Sequence, residues 1–300
     1  QAPVPESTEG CHPQLGQPPH LGVVRGLRPV GHILVGGERV GWIAQEDAGL
    51  LQRWPRVFQI SGSAVQLATA LDSVESRSAA LAPVIRALAD GGRIRGWRDE
   101  TYAIRNGFDA PPLALIERAA ARFFGTLSFA VHGNGIVAPS GAAPRLWIAR
   151  RSLRKPIDPG LYDNVVGGGI GWGYGIGETL VKECQEESGI PAALAGQARA
   201  GRSVQVLAQH ADGVQWERIY VYDLPLPEDF IPSSQDGEVS EHRLVSIDEV
   251  QELIAAGAMT VDASLATLDW LLRGGHVDSD SARFSGFEQL PASESSPLLS

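Results

Sequence analysis

Cysteine is almost absent from this 300-residue sequence: Cys11 and Cys184 are the only two, and neither has a Cys-x-x-Cys or Cys/His setting. That scarcity argues against a disulfide framework and a zinc site, and it makes a reducing, cytoplasmic location the expected one. Lysine is as scarce, with Lys155 and Lys182 set among arginines, the usage expected of a GC-rich bacterial genome. Positive charge is in deficit, 25 Lys and Arg against 35 Asp and Glu. The net charge of −10 withholds the basic surface that non-specific nucleic-acid binding requires. No apolar run approaches the ~18 residues of a membrane span. The stretch over 1–19 is rich in Pro, Gln and Gly, lacks an apolar core, and does not read as a signal peptide. A Gly-Lys-Ser/Thr phosphate loop, a clean GxGxxG after a strand, and internal repeats are missing too.

What is present is a globular composition, 43% hydrophobic, long enough for two domains. The expected organisation is a flexible leader over 1–20, a small α+β domain over 21–110, a larger domain over 111–276 and a loose Ser-rich tail over 277–300. HILVGGERVGWIA from His32 reads as a hairpin about Gly36-Gly37, and 46–54 as a short helix. A second apolar pair lies at 57–60 and 64–68. Ser73 opens a helix closed by Gly91-Gly92, with Pro83 expected to kink or split it. Asp109-Ala110-Pro111-Pro112 marks the boundary. Apolar spacing predicts a helix over 113–124, then strands at 127–131, 146–149 and 164–166. A helix over 178–188 and a long antiparallel pair, 203–208 with 215–224, follow. A strand over 239–246 and helices over 248–256 and 263–272 complete the chain. Strands and helices that mix without regular alternation indicate an α+β fold or a sandwich.

The chemistry concentrates in 167–191, GGGIGWGYGIGETLVKECQEESGIP. A glycine-rich loop enters a helix that ends at Gly189, with Pro191 just beyond. Glu183, Glu186 and Glu187 stand at i, i+3 and i+4, so they share one helix face. Like-charge pairs at that spacing each cost a helix roughly 0.2–0.5 kcal/mol. A hard divalent cation, Mg²⁺ or Mn²⁺, resolves the conflict because it takes oxygen ligands and neutralises diphosphate oxygens. For the tetrad alone, a solvated acidic face is the plain alternative.

Loop, helix and terminator together resemble the Nudix box: Gly, five residues, Glu, seven residues, Arg-Glu, a bulky apolar residue, any residue, Glu-Glu, any residue, Gly, apolar. The matches are Gly168, Glu183, Cys184, Glu186, Glu187, Gly189 and Ile190; Tyr174 stands for the first Glu and Lys182 for the Arg. Lys182 is expected to pair instead with Glu178, four residues before it. The resemblance extends to GWRDE at 96–100, FAVHGNG at 129–135, LWIARRSLRKPIDPG before the box, and ERIYVYDLPLPEDF and DGEVSEHRLVSIDEV after it. These are similar to the Nudix subfamily described as thiamine pyrophosphokinase-related, over roughly 30–276. The resemblance implies an α/β/α sandwich with a mixed sheet behind a small α+β domain. It also implies metal-dependent hydrolysis of a small organic diphosphate, thiamine diphosphate or its damaged analogues.

On that footing Glu183, Glu186 and Glu187 are the catalytic and metal-binding candidates. Glu238 is the first choice for a further acid, with Glu241 and Glu217 behind it. Arg150, Arg151, Arg154 and Lys155 are candidates for the phosphates, since arginine forks match phosphate oxygens. Gly168 and Gly169 belong to the substrate side, and Trp172 and Trp216 to a flat or cationic ring. His132 reads as a satisfied core or turn histidine, and the role of 97–100 is open beyond a share in an interdomain pocket. The expected partner is the small-molecule diphosphate, with no nucleic acid or membrane; a homodimer is compatible. Two other readings stay open: a Nudix pyrophosphatase acting on ADP-ribose, a dinucleotide or a coenzyme, and a binding module without turnover.

Overall fold

The computed structural model describes residues 21–25, 30–155, 157–235 and 237–277. The leader over 1–20 and the tail from 278 lie outside the described residues. After β1 (Leu21–Arg25) come the hairpin strands β2 (Val30–Val35) and β3 (Glu38–Ala44). Gly36 and Gly37 take φ values of 61° and 85° in the turn between them. α1 (Gln45–Leu51) leads to β4 (Phe58–Ser61) and β5 (Ala64–Leu67), and four of these strands pair in the order β3-β2-β5-β4. α2 (Val74–Asp90) starts where Ser76 N–H donates to Ser73 Oγ at 3.1 Å, and it buries Leu81, Val84, Ile85 and Leu88. Pro83 neither splits nor ends this helix. Pro83 and Ala79, whose carbonyl loses its donor, both lie on the exposed side, so water replaces the missing bond.

The expected helix over 113–124 is instead a strand and a turn. β6 (Thr101–Ile104) pairs antiparallel with β7 (Ala114–Glu117), and a single 3₁₀ turn, Arg118–Ala120, follows. Ala114 and Ile116 alternate inward, a period-two pattern that a short apolar run shares with a helix. This hairpin, with Phe123 and Phe124, packs into the same core as Ile33, Val65 and Leu81. The expected boundary at 109–112 therefore falls inside a hairpin, and the first core extends to Phe124.

The second unit holds β8 (Leu127–Val137), β9 (Arg145–Arg151), β10 (Tyr162–Asn164), β11 (Val166–Gly169), α3 (Ile176–Ser188), α4 (Ala192–Ala195), β12 (Arg199–His210), β13 (Gly213–Pro225), β14 (Val239–Ser246), α5 (Ile247–Ala255) and α6 (Val261–Arg273). Its sheet is eight-stranded and mixed: β1-β12-β13-β8-β9-β10, with β11 on β8 and β14 on β9. The pairs β1·β12 and β8·β13 are parallel, and the others antiparallel. Side chains alternate between the two faces. Ile219 and Val221 meet α5 and α6, whereas Tyr220 and Tyr222 meet α3. This is the expected α/β/α sandwich preceded by a smaller α+β unit. Two details differ: β1 belongs to the second sheet, and Gly167–Gly169 are strand residues of β11 rather than loop. The units touch where Trp42 packs on Leu207 and Val214, and where Val214 N–H donates to Arg122 O at 2.8 Å.

Candidate active site

α3 is fixed at both ends. Its C-terminus closes on Gly189, left-handed at φ 62°, with Ile190 N–H donating to Cys184 O at 2.9 Å. Ser188 Oγ donates to Val165 O and lies 3.2 Å from His242 Nε2. Cys184 faces the core, where burial pushes its thiol up to about 12, so it is a packing residue. The opposite face presents the glutamates to β11.

Gly167 N–H donates to Glu187 Oε2 at 2.7 Å, the one hydrogen bond to that carboxylate among the described residues. A β-carbon at Gly168 would overlap the Glu183 carboxyl, so glycine leaves the room in which that carboxyl lies against β11. Burial holds the Glu187 carboxyl well above the usual range, with Asp163 and Glu183 adding repulsion. Glu183 is raised as well, by burial first, with Lys182 opposing it. Glu186 is different: it is 48% exposed and bonded to Lys182 Nζ at 2.9 Å. Lys182 also reaches Glu183 at 3.1 Å, so the expected pairing with Glu178 does not form. Glu178 instead accepts from Gly175 N–H at 3.3 Å, at the start of the helix. The two carboxylates of the next turns bind the ammonium more favourably because Glu183 needs a counter-charge.

Gly167, Gly168 and Gly169 line a cavity of about 630 Å³ between the two units. Its second-unit side includes Arg151, Lys155, Asp163, Trp216, Glu217 and Asp262. Arg151 Nη1 donates to Asp163 Oδ2 at 2.8 Å. Gln215 Nε2 donates to Glu217 at 2.9 Å and to Asp262 at 3.1 Å. Burial, then the nearby Glu217, pushes the Asp262 carboxyl up to about 7. His132 is satisfied as expected, 2.8 Å from Asn164 Oδ1, although it borders the cavity.

Several candidates stand elsewhere. Arg150 donates to Gly160 O at 3.2 Å, outside the cavity lining, and Arg154 does not line it either. Trp172 is also off the lining: its ring stands 5.4 Å from the Arg105 guanidinium, and its backbone N–H donates to Thr101 O at 2.7 Å. Glu238 binds Lys155 and lies 3.5 Å from Arg98 Nη1, and these two cations hold it below the usual carboxylate range despite burial. Glu241 faces Arg150 at 3.9 Å. The residues missed are Tyr102, Arg118 and Arg122, which line the cavity from the first unit; Arg98, from the segment given a share in an interdomain pocket, lines it too. Read as helix, 113–124 gave no reason to aim its arginines at the box.

Among the described residues no three His, Cys, Asp or Glu side chains stand together as a ready metal site. The donor chemistry nevertheless fits a hard divalent cation. Glu183 and Glu187 are oxygen donors, partly buried and mutually repelling, with Lys182 bonded to Glu183 alone of the two. Glu186 could join them on release from Lys182.

Residues 134–265 match the NUDIX domain, and 27–128 match a family described as Domain of unknown function (DUF4743). Nudix hydrolase 24, chloroplastic, from Arabidopsis thaliana is 37% identical over 263 residues, 86% of this chain and 72% of that protein. Nudix hydrolase 20, chloroplastic, from the same plant is 37% identical over 255 residues, 82% of this chain and 68% of that one. The crystal structure of DR0079 from Deinococcus radiodurans is 23% identical, covers 57% of this chain and 98% of that chain, and has a TM-score of 0.44. The plant relatives lend no support to a bacterial source or to a cytoplasmic location. No helix among the described residues is long and apolar enough to cross a membrane.

Proposed function

Because this chain belongs to the Nudix hydrolase family, we propose that it hydrolyses a small organic diphosphate, of the thiamine diphosphate class, beside β11 and α3. The observation that carries this reading is the pair Glu183 and Glu187, partly buried and held against the glycine strand that lines the cavity. In the reaction the oxygen of water bonds to one phosphorus and the bridging P–O bond breaks. Monophosphate ester and inorganic phosphate are released. Glu187 is the better base, because Gly167 N–H fixes one oxygen so that the other is aimed. Glu186, exposed and bound to Lys182, is less suited to that task. The proton Glu187 accepts passes to the departing phosphate oxygen. Glu183, Glu187 and, once freed, Glu186 would hold Mg²⁺ or Mn²⁺, which supplies charge neutralisation and acidifies water.

Arg151 and Lys155 are the members of the arginine-rich segment placed to bind phosphate, since they line the cavity. Trp216, half-buried on the same lining, is the surface for a flat heteroaromatic head. The test is a substrate panel with Mg²⁺ or Mn²⁺: thiamine diphosphate, its oxidised analogue, ADP-ribose, a dinucleotide and a short prenyl diphosphate. The thiamine-type compounds are expected to give the highest kcat/KM. A preference for ADP-ribose would replace the substrate class, and ligand binding without phosphate release from any compound would replace the hydrolase.

A further inference from the structure

The segment Trp97–Glu100 is the one sequence feature that the reaction has not absorbed, and its geometry is unusual. Asp99 is left-handed at φ 58°, a conformation that non-glycine residues rarely adopt. Its Oδ1 accepts from Trp97 Nε1 at 2.7 Å, and the Trp97 ring carries the Arg86 guanidinium 3.7 Å from its centroid. Arg98 N–H donates to Glu117 Oε1 at 2.8 Å, and Arg118 N–H donates to Glu100 O at 2.8 Å. The turn is thus tied to the base of the β6–β7 hairpin at Arg98 and Glu100, and braced within itself and against α2 at Trp97 and Asp99.

Two cations reach toward the second unit, Arg98 from this turn and Arg118 from the 3₁₀ turn bonded to it. Arg118 Nη1 donates to Glu100 Oε2 at 2.8 Å, which orients the guanidinium and leaves its other donors available. A β-carbon on Gly169 would overlap the Tyr102 hydroxyl and stand 3.2 Å from Arg118 Nη2. Arg118 and Tyr102 therefore sit against β11, the strand on which Glu183 and Glu187 of α3 rest. Arg98 reaches Glu238 at 3.5 Å, beside Lys155. Both arginines line the cavity and remain 36% exposed. β6, which follows the turn, also contacts the glycine-rich loop, because Thr101 O accepts from Trp172 backbone N–H at 2.7 Å.

We propose that Arg98 and Arg118 bind the phosphates of the substrate across the cavity from Gly167–Gly169, and that the Trp97–Glu100 turn is the device that positions them. The active site is then composite: the second unit supplies the carboxylates, and the first supplies cations that fork onto phosphate oxygens. This rests on the diphosphate reading above and assigns part of that site to the first unit. Asp99 and Glu100 act through the arginines and are positioning residues.

The test is calorimetric titration of methylenebisphosphonate, a diphosphate with a carbon bridge, into the full chain with Mg²⁺. Arg98→Gln/Arg118→Gln is expected to weaken binding about ten- to a hundredfold and to flatten its salt dependence, as loss of charge-assisted bonds does. Asp99→Ala is expected to weaken it severalfold, with the loss in turnover falling on KM, and Asp99→Asn to restore it, since asparagine tolerates the left-handed backbone and keeps an acceptor for Trp97. Circular dichroism and the melting temperature establish that each variant is folded. If the double variant does not fold, the single variants decide. Folded variants that bind the bisphosphonate as the parent chain does overturn the proposal. A parent chain that binds the bisphosphonate through these arginines yet hydrolyses no diphosphate would sink the hydrolase reading and leave this one standing. Normal turnover and binding by the double variant would do the reverse.

Discussion

Two surfaces face each other across one cavity, and they are built on opposite plans. On the second unit, β11 and α3 are regular elements, and what holds Glu187 is a backbone N–H. Burial raises Glu183 and Glu187 there, against the pull of Lys182 on the first, with Asp163 and Glu183 adding repulsion on the second. On the first unit, Arg98 and Arg118 stand on a strained turn and a single 3₁₀ turn, each cation oriented by an acid. Reactive groups gain by rigidity, because a small displacement of a base or ligand is costly. Groups that recognise a ligand gain by irregular backbone, which can aim long side chains where no helix or strand would.

The largest effect should come from the rigid side. Glu187→Gln is expected to lower kcat about a hundredfold or more with the fold intact, the usual cost of a lost base or metal contact. Steady-state kinetics with saturating metal would check it, and unchanged turnover would remove Glu187 from the chemistry. A pair of glycine variants then separates the two surfaces. Gly168→Ala drives a methyl into the Glu183 carboxyl, whereas Gly169→Ala drives it into the Tyr102 hydroxyl beside Arg118. The first should reduce kcat by roughly ten- to a hundredfold, as ångström-scale displacement of a catalytic group does. The second should act mainly on KM. Equal kinetic signatures would erase the distinction.

Trp216→Ala should raise KM for a flat-headed diphosphate about five- to a hundredfold, since stacking contributes ~1–3 kcal/mol. Trp172→Ala, off the cavity lining, should change it little. A larger loss at Trp172 would invert that assignment.

A pH series probes the acid-rich side without substrate. Asp262 moves from 3.8 up to about 7, and Glu183 and Glu187 move above 4.5. A carboxyl raised in the folded state keeps its proton where the unfolded chain has released it. Its contribution is therefore present at low pH and is lost as pH rises through the folded value. In EDTA the melting temperature should show this loss between about pH 4 and 7, and Mg²⁺ should offset it at the upper end. A Glu187→Gln chain with the same slope would show that the acid is not frustrated. The smallest effect is at the helix start, where Glu178→Gln should cost roughly 0.3–0.5 kcal/mol in chemical denaturation, as for an exposed cap contact.

Much of the catalytic surface could be read in advance because its signals are local. Glu183, Glu186 and Glu187 share a helix face by spacing alone, and Gly189 with Pro191 announces the end. The antiparallel β12–β13 pair was similarly local, whereas the mixed sheet followed only from the family resemblance, its parallel pairs being distant in sequence. The other surface was not readable, since Ala114–Glu117 is as apolar as a helix turn and only its pairing with β6 decides the matter. Arg118 therefore looked like a helix surface residue. Partner choice was likewise hidden: Lys182 had Glu178, Glu183 and Glu186 within reach, and burial of Glu183 selected the last two. Arg150 and Lys155 are five positions apart in one basic segment, yet only the latter lines the cavity.

The central claim is that carboxylates held against β11 drive metal-dependent diphosphate hydrolysis. Its most direct test is release of monophosphate ester and inorganic phosphate from thiamine diphosphate, with the parent chain and Glu187→Gln assayed side by side in Mg²⁺ and in EDTA. The parent chain should release both products in Mg²⁺ alone, and the variant at least about a hundredfold less. Release that persists in EDTA, or that proceeds at the parent rate in Glu187→Gln, would contradict it.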